Sequence, residues 1–293
     1  MSLTLECMTS EPTASREQRY VDRYAHLVNK VPEVTLYFWL IKVLCTTVGE
    51  TFADYLNETL GFGLTNTTVV LGLAFLVALA AQFRVRRYVP ALYWQTVVLI
   101  SVFGTLITDN LTDGHGVPTS VTTPIFAVLL ALTFLAWWTV ERTLSIHTIR
   151  TPRREAFYWL TILFTFALGT AGGDLLSEQL GLGYLVAVLI FAGAIAVVAL
   201  AHYGLRLGAV VSFWLAYILT RPLGASIGDY MSQARHDGAL GLGTTATSVI
   251  FLGTILALVV FLTVTRSDVT ADEEYDAESM LAEAEAEAHH HHH

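Results

Sequence analysis

Apolar runs recur eight times along the chain, near residues 33–56, 66–84, 90–111, 120–140, 156–178, 184–203, 208–230 and 245–265, with short polar stretches between them. Each is close to the twenty or so residues that a helix needs to cross a hydrocarbon core of about 30 Å. Only helices and closed barrels satisfy their backbone groups in lipid, and runs of this length point to helices. The pattern predicts an all-α polytopic membrane helix bundle with eight transmembrane helices. The first thirty residues are polar and lack the apolar centre of a cleavable signal peptide, so the first span is expected to serve as its own targeting signal.

A second periodicity lies over the first. The odd-numbered spans share one rule, W-x9-G-x4-D-x-[LM]: Trp39, Gly49 and Asp54; Trp94, Gly104 and Asp109; Trp159, Gly169 and Asp174; Trp214, Gly224 and Asp229. Four residues past each Asp stand Glu58, Asp113, Glu178 and, breaking the pattern, Gln233. Each copy holds two spans and returns the chain to its starting side, so the copies insert in parallel about an axis along the membrane normal. The predicted architecture is four parallel two-helix repeats, residues 31–88, 89–153, 154–206 and 207–266. They are preceded by a polar leader, 1–30, and followed by an acidic tail, 267–288, and an expression tag, 289–293. In a straight helix the fifteen residues from Trp to Asp rise roughly 22 Å. That puts Trp near one interface, Gly at mid-depth and Asp near the other.

Composition agrees: 54% of residues are hydrophobic and 14% charged, well below the quarter or so that is usual in soluble domains. The formal charge of −9 belongs to the end of the chain. Residues 267–293 carry nine acids and no Lys or Arg, leaving sixteen acids against sixteen bases elsewhere. Such a tail reads as a solvated extension. Of the bases outside the spans, Arg235 alone falls on the Asp side. The rest, among them Arg84, Arg86, Arg87, Arg142, Arg150, Arg153, Arg154, Arg206 and Arg266, fall on the other. By the positive-inside rule both termini are cytoplasmic, in a cytoplasmic (inner or plasma) membrane. Cys7 and Cys45 sit in leader and span, so no disulfide is expected.

The candidate chemistry is acidic. Asp54, Asp109, Asp174 and Asp229 recur at one depth, and the first repeat adds Glu50. Like charges brought together cannot all stay ionised without a counter-charge, so this set is the candidate cation-binding and transport site. Supporting charge comes from Lys42, seven residues before its glycine, and Arg221, three before its own, together with Glu58, Asp113 and Glu178. Pairing of these bases with Glu50 or an Asp is expected. Gly49, Gly104, Gly169 and Gly224 are read as packing positions or helix breaks, and Pro222 is expected to kink or break the seventh span. Trp39, Trp94, Trp159 and Trp214 are read as interface anchors or a gate. His115 and His236, near Asp113 and Asp237, offer nitrogen ligands for a metal at the outer mouth. The stretch "TTVGE" resembles a potassium filter too weakly to count. No nucleophile-base, phosphate-loop or nucleic-acid motif is present, which argues against an enzyme and against a nucleic-acid partner.

With four copies of a two-span unit and the stretches "KVLCTTVGETFADYL" and "LTRPLGASIGDYM", the chain over roughly residues 31–265 resembles the domain-of-unknown-function 347 repeat family of membrane proteins. The resemblance implies four tandem repeats and a transport-like role, with export of a metal such as manganese as its furthest implication. The expected function is a cation transporter with a divalent metal as its substrate. The alternatives are a pseudo-fourfold cation channel and a non-transporting scaffold or sensor. The expected partners are the lipid bilayer and an inorganic cation; an oligomer is left open. No cofactor is expected beyond a divalent cation bound as substrate.

Overall fold

The computed structural model describes residues 29–268; the leader with Cys7, the acidic tail beyond Asp268 and the terminal histidines lie outside the described residues. Eight long apolar helices run in chain order: α1 Leu36–Asp54, α2 Leu64–Arg84, α3 Pro90–Asp109, α4 Thr119–Glu141, α5 Pro152–Asp174, α6 Tyr184–Leu205, α7 Ala209–Ser232 and α8 Thr244–Thr265. There is no strand among the described residues.

Local chemistry sets the ends. Thr35 and Thr151 cap α1 and α5 by accepting from the amides of Phe38 and Arg154, the side-chain capping that orphan helix donors require. Pro90 and Pro152 open α3 and α5, where their missing N–H costs nothing. After its Asp, each of the first three odd helices widens into a π-helical turn, at Tyr55–Thr59, Asn110–Gly114 and Leu175–Gln179. The fourth ends at Ser232 instead, and its longer connection holds a 3-10 turn, Arg235–Asp237.

The odd helices form an inner ring in the order α1, α3, α5, α7 and back to α1. The even helices lie outside it, each against the next repeat's inner helix: α2 on α3, α4 on α5, α6 on α7, and α8 on α1. No repeat therefore covers its own inner helix, and the ring closes only when all four are present. Burial follows. The inner helices are half or more buried across their apolar windows, whereas α6 is 6% buried and presents apolar side chains all round, as a lipid-facing helix does.

The four glycines are the contacts that bring the ring together. A Cβ on Gly49 would overlap Ser101, on Gly104 would reach Phe166, on Gly169 would overlap Arg221, and on Gly224 would overlap Thr46. Each struck residue stands three before the glycine of the following repeat, so one close contact is repeated four times around the axis. Small residues that let helix backbones approach are the usual adhesive in membranes, where no hydrophobic force draws helices together. The glycines are packing positions. Pro222 does not break its span: α7 runs unbroken from Ala209 to Ser232, and Pro222 packs beside Gly169.

The tryptophan end closes by a matching rule. The aromatic residue before each Trp faces the next repeat's Trp, with ring centroids 5.7 Å apart for Phe38–Trp94, 5.7 Å for Tyr93–Trp159, 6.3 Å for Tyr158–Trp214 and 5.7 Å for Phe213–Trp39. The Tyr93 and Tyr158 hydroxyls meet at 2.5 Å. Trp94, Trp159 and Trp214 are thus buried, and only half-buried Trp39 reaches toward the surface. The expectation of lipid-interface anchors fails for three of the four, because a ring of neighbouring aromatics buries more of each indole than a headgroup layer would.

The described termini belong to the bundle. Lys30, assigned to the leader on sequence, is buried, with its Nζ 2.6 Å from Glu155 and donating to the carbonyl of Phe83. Asp268, assigned to the tail, is also buried. It accepts from the Tyr88 hydroxyl at 2.5 Å, and its carbonyl accepts from the Glu33 amide.

Candidate cation site

At mid-depth the ring is crossed by one side chain. Arg221 on α7 is 0% exposed and its guanidinium touches every other inner helix. Nη1 donates to the carbonyl of Thr46, and the two N–H bonds of Nη2 are shared among Glu50 Oε2 at 3.0 Å, Thr170 Oγ1 at 2.6 Å and Thr105 Oγ1. The two threonines can accept because each gives its own proton to the carbonyl four residues back, Thr105 to Ser101 and Thr170 to Phe166. Their lone pairs are left facing the guanidinium. Glu50, Thr105, Thr170 and Ala225 are equivalent positions, each directly after its repeat's glycine. Three supply acceptors, and the fourth, one turn above Arg221 on the same helix, is small and leaves room. Sequence reasoning expected Lys42 and Arg221 to pair with Glu50 or an Asp; Arg221 does pair with Glu50, and both threonines were missed, though the position after each glycine was there to compare.

One turn nearer the aspartate end lie the carboxylates. Glu50, Asp174 and Asp229 each place an oxygen so that the three lie within 4.8 Å of one another. Glu50 and Asp229 are buried and Asp174 is half-buried. Asp54 and Asp109 do not join this trio; both are half-buried toward the mouth. Of the five acids anticipated from sequence, three form a tight trio on the α1, α5 and α7 side. Glu58, Asp113 and Glu178 are exposed around the mouth, where Glu178 accepts from the Tyr184 hydroxyl.

Lys42 does not pair with an acid. Its Nζ, fully buried, lies 4.1 Å from the centre of the Tyr217 ring and 4.3 Å from that of Phe166, with no hydrogen-bond partner. His115 is exposed and engaged with the carbonyl of Asn110 through Nδ1 at 2.5 Å. His236 is exposed on the Arg235–Asp237 turn, and the Asp237 side chain lies outside the described residues. Among the described residues neither histidine joins the carboxylate trio, so its donor set is oxygen alone. Cys45 is buried and free.

Comparison with known proteins fits this repeating plan. The family described as Repeat of Unknown Function (DUF347) matches four times, over residues 37–88, 92–143, 157–207 and 212–268. The chain belongs to that family, a four-repeat helical membrane protein in its own build. No curated protein and no solved structure matches the chain, so membership brings no activity with it.

Proposed function

We propose that the protein is an integral membrane transporter of cations, with divalent metals as the substrate class and the Glu50, Asp174 and Asp229 trio as the binding site. The observation that carries this reading is the convergence of three carboxylates beside a single counter-charge that neutralises only one of them. Two anionic groups in a low-dielectric bundle call for protons or a cation. Oxygen donors without nitrogen or sulfur suit hard ions such as Mg²⁺, Ca²⁺ and Mn²⁺. Half-buried Asp54, Asp109 and Asp174 give the ion a graded approach from the aspartate end. The bases at the opposite end argue that this approach is extracytoplasmic and that both termini are cytoplasmic.

A carrier fits better than an open channel. Past the site, the axis is filled first by the Arg221 network and then by the aromatic ring. An ion at the trio therefore faces one side, which is half of an alternating-access cycle.

The test is flux in proteoliposomes across Mn²⁺, Mg²⁺, Ca²⁺, Zn²⁺, K⁺ and Na⁺, with wild type beside the Asp174→Asn/Asp229→Asn variant. Flux of a divalent ion that the folded double variant has lost supports the site. Equal flux in both would end the reading, and so would no flux of any ion with both proteins folded, an outcome that favours a scaffold.

A further inference from the structure

The tryptophan end carries more than the repeats build. Residues 29–35 precede α1 and Asp268 follows α8, outside the Trp-Gly-Asp unit, yet Asn29, Lys30, Val31 and Asp268 are all buried. On one side the Lys30 amide donates to the carbonyl of Ile149 at 3.1 Å, while its Nζ donates to Glu155 Oε2 at 2.6 Å and to the carbonyl of Phe83 at 3.3 Å. On the other, Asp268 accepts from the Tyr88 hydroxyl at 2.5 Å. The two halves join where the Glu33 amide donates to the carbonyl of Asp268 at 3.1 Å. Phe83 and Tyr88 lie at the α2–α3 connection and Ile149 at the α4–α5 connection, so the chain ends tie themselves to two further corners of the ring. They also rest directly on the aromatic layer. Glu155 stands one turn before Trp159 on α5, and the Tyr88 ring lies 5.7 Å from that of Tyr93. The closure is incomplete: Glu155 Oε1 is buried with no hydrogen-bond partner among the described residues.

We propose that residues 29–35 and Asp268 form a latch that holds the tryptophan end of the ring shut, and that parting Lys30 from Glu155 and Asp268 from Tyr88 opens the aromatic layer to water. The ring already closes through its glycines and its aromatic pairs, so these bonds are not needed to hold the helices together. A buried ion pair is weak evidence for stability, because desolvation offsets most of its attraction. Both partners regain hydration when they part, and so does the dry oxygen of Glu155. The closed and open forms therefore differ by little, which is what a two-state element requires. The bonds run between segments and not along a helix, so the latch can open while every helix stays intact. For a carrier of the kind proposed above this is the end that opens second, since the carboxylates are reached from the other. The latch itself does not depend on the trio binding an ion.

The experiment uses the full-length protein in detergent with Cys7→Ser, which leaves Cys45 as the one thiol, and follows its labelling by N-ethylmaleimide through intact mass. Cys45 is buried on α1 between Phe38 of the aromatic layer and Thr46 beside Arg221, so the reagent reaches it only when the ring end opens. Lys30→Met leaves Glu155 an unpaired buried carboxylate, and Tyr88→Phe removes only the hydroxyl that holds Asp268. Gly104→Ala, whose Cβ crowds Phe166 and the Ala167 amide at the α3–α5 seam, destabilises the ring without touching the latch and serves as the control. The expected result is labelling faster than in the Cys7→Ser parent by about tenfold or more in Lys30→Met and by a smaller factor in Tyr88→Phe. Labelling at the parent rate in both variants overturns the proposal. So does a rise no larger than that of Gly104→Ala for the same fall in unfolding temperature, which is what a merely structural role would give. Should Lys30→Met fail to fold, Tyr88→Phe decides alone: labelling at the parent rate overturns the latch and leaves the cation site standing.

Discussion

The Arg221–Glu50 pair makes the sharpest energetic claim, because the two residues lie on opposite sides of the ring closure and are both buried. Replacing Arg221 by Met leaves Glu50 as an uncompensated buried carboxylate, and it strips Thr105 and Thr170 of their donor. Breaking one side of a buried pair costs about 3–5 kcal/mol. Glu50→Gln leaves the guanidinium short of its counter-ion and belongs in the same range of about 3–5 kcal/mol. The double variant Glu50→Gln/Arg221→Met removes both charges together, and replacement of a buried pair by uncharged groups is often close to neutral. The two single losses should therefore not add. With the double variant near neutral, the cycle should return a coupling of about 6–10 kcal/mol, beyond the roughly 3 kcal/mol that is the usual upper end for residues in contact. At about 2–4 °C per kcal/mol, each single variant loses about 6–20 °C in unfolding temperature, read by tryptophan fluorescence of the purified protein in detergent, and the double variant regains most of it. Strict additivity would refute the reasoning: it would mean that the pair stabilises nothing beyond what each side chain does alone.

Other outcomes follow from single contacts. Gly224→Ala drives a Cβ into Thr46 and to 3.1 Å from the Thr47 amide nitrogen, an overpacking of about 1–3 kcal/mol that outweighs the helix-propensity gain and lowers the unfolding temperature. Gly172→Ala meets nothing within 4 Å and should stabilise by up to about 1 kcal/mol, so equal shifts for the two variants would count against the ring contacts. At the opposite end, burial pushes the Asp268 carboxyl up, with the Tyr88 hydroxyl opposing. Its contribution to stability is therefore full below the ordinary carboxylate range of about 4 and is lost as pH rises through its higher folded value. Asp268→Asn should flatten that part of the stability profile, and a slope unchanged in the variant would place its source elsewhere.

The number of spans, their type and the four-copy plan were legible because hydropathy and a fixed Trp-Gly-Asp spacing are properties of the chain in order. The ring was not. Nothing local says that α2 covers α3 and not α1, since helices of one repeat could have packed on each other equally well by composition. The tryptophans were misread for that reason: an indole near a span end is an anchor only if lipid is its neighbour, and here the preceding repeat's Phe38, Tyr93 or Tyr158 is. Pro222 was read as a kink or a break, and the break does not occur. Proline removes one hydrogen bond and strains its own turn, but whether the helix parts there depends on what packs against it, and Gly169 leaves its ring a place. The acidic group was anticipated residue by residue, but which three would converge was not, because the spacing is the same in all four copies.

That sameness is what gives the exceptions their meaning. Glycines, aromatics and aspartates recur in every repeat and build a scaffold with four equivalent places at each level. Beside the recurring aspartates, three interior ionisable groups occur once: Glu50 where other repeats have Thr105, Thr170 and Ala225, Arg221 where they have Thr46, Ser101 and Phe166, and Lys42 where they have Val97, Ile162 and Tyr217. If the charges served only to hold the ring, the symmetric contacts already do so without them, and the desolvation of two bases and an acid would be an expense with no return. One acid and one base at neighbouring levels, with a second base left unmatched, break the fourfold symmetry of the interior. The departures from symmetry, more than the symmetric motif, are therefore where mutation should separate folding from function.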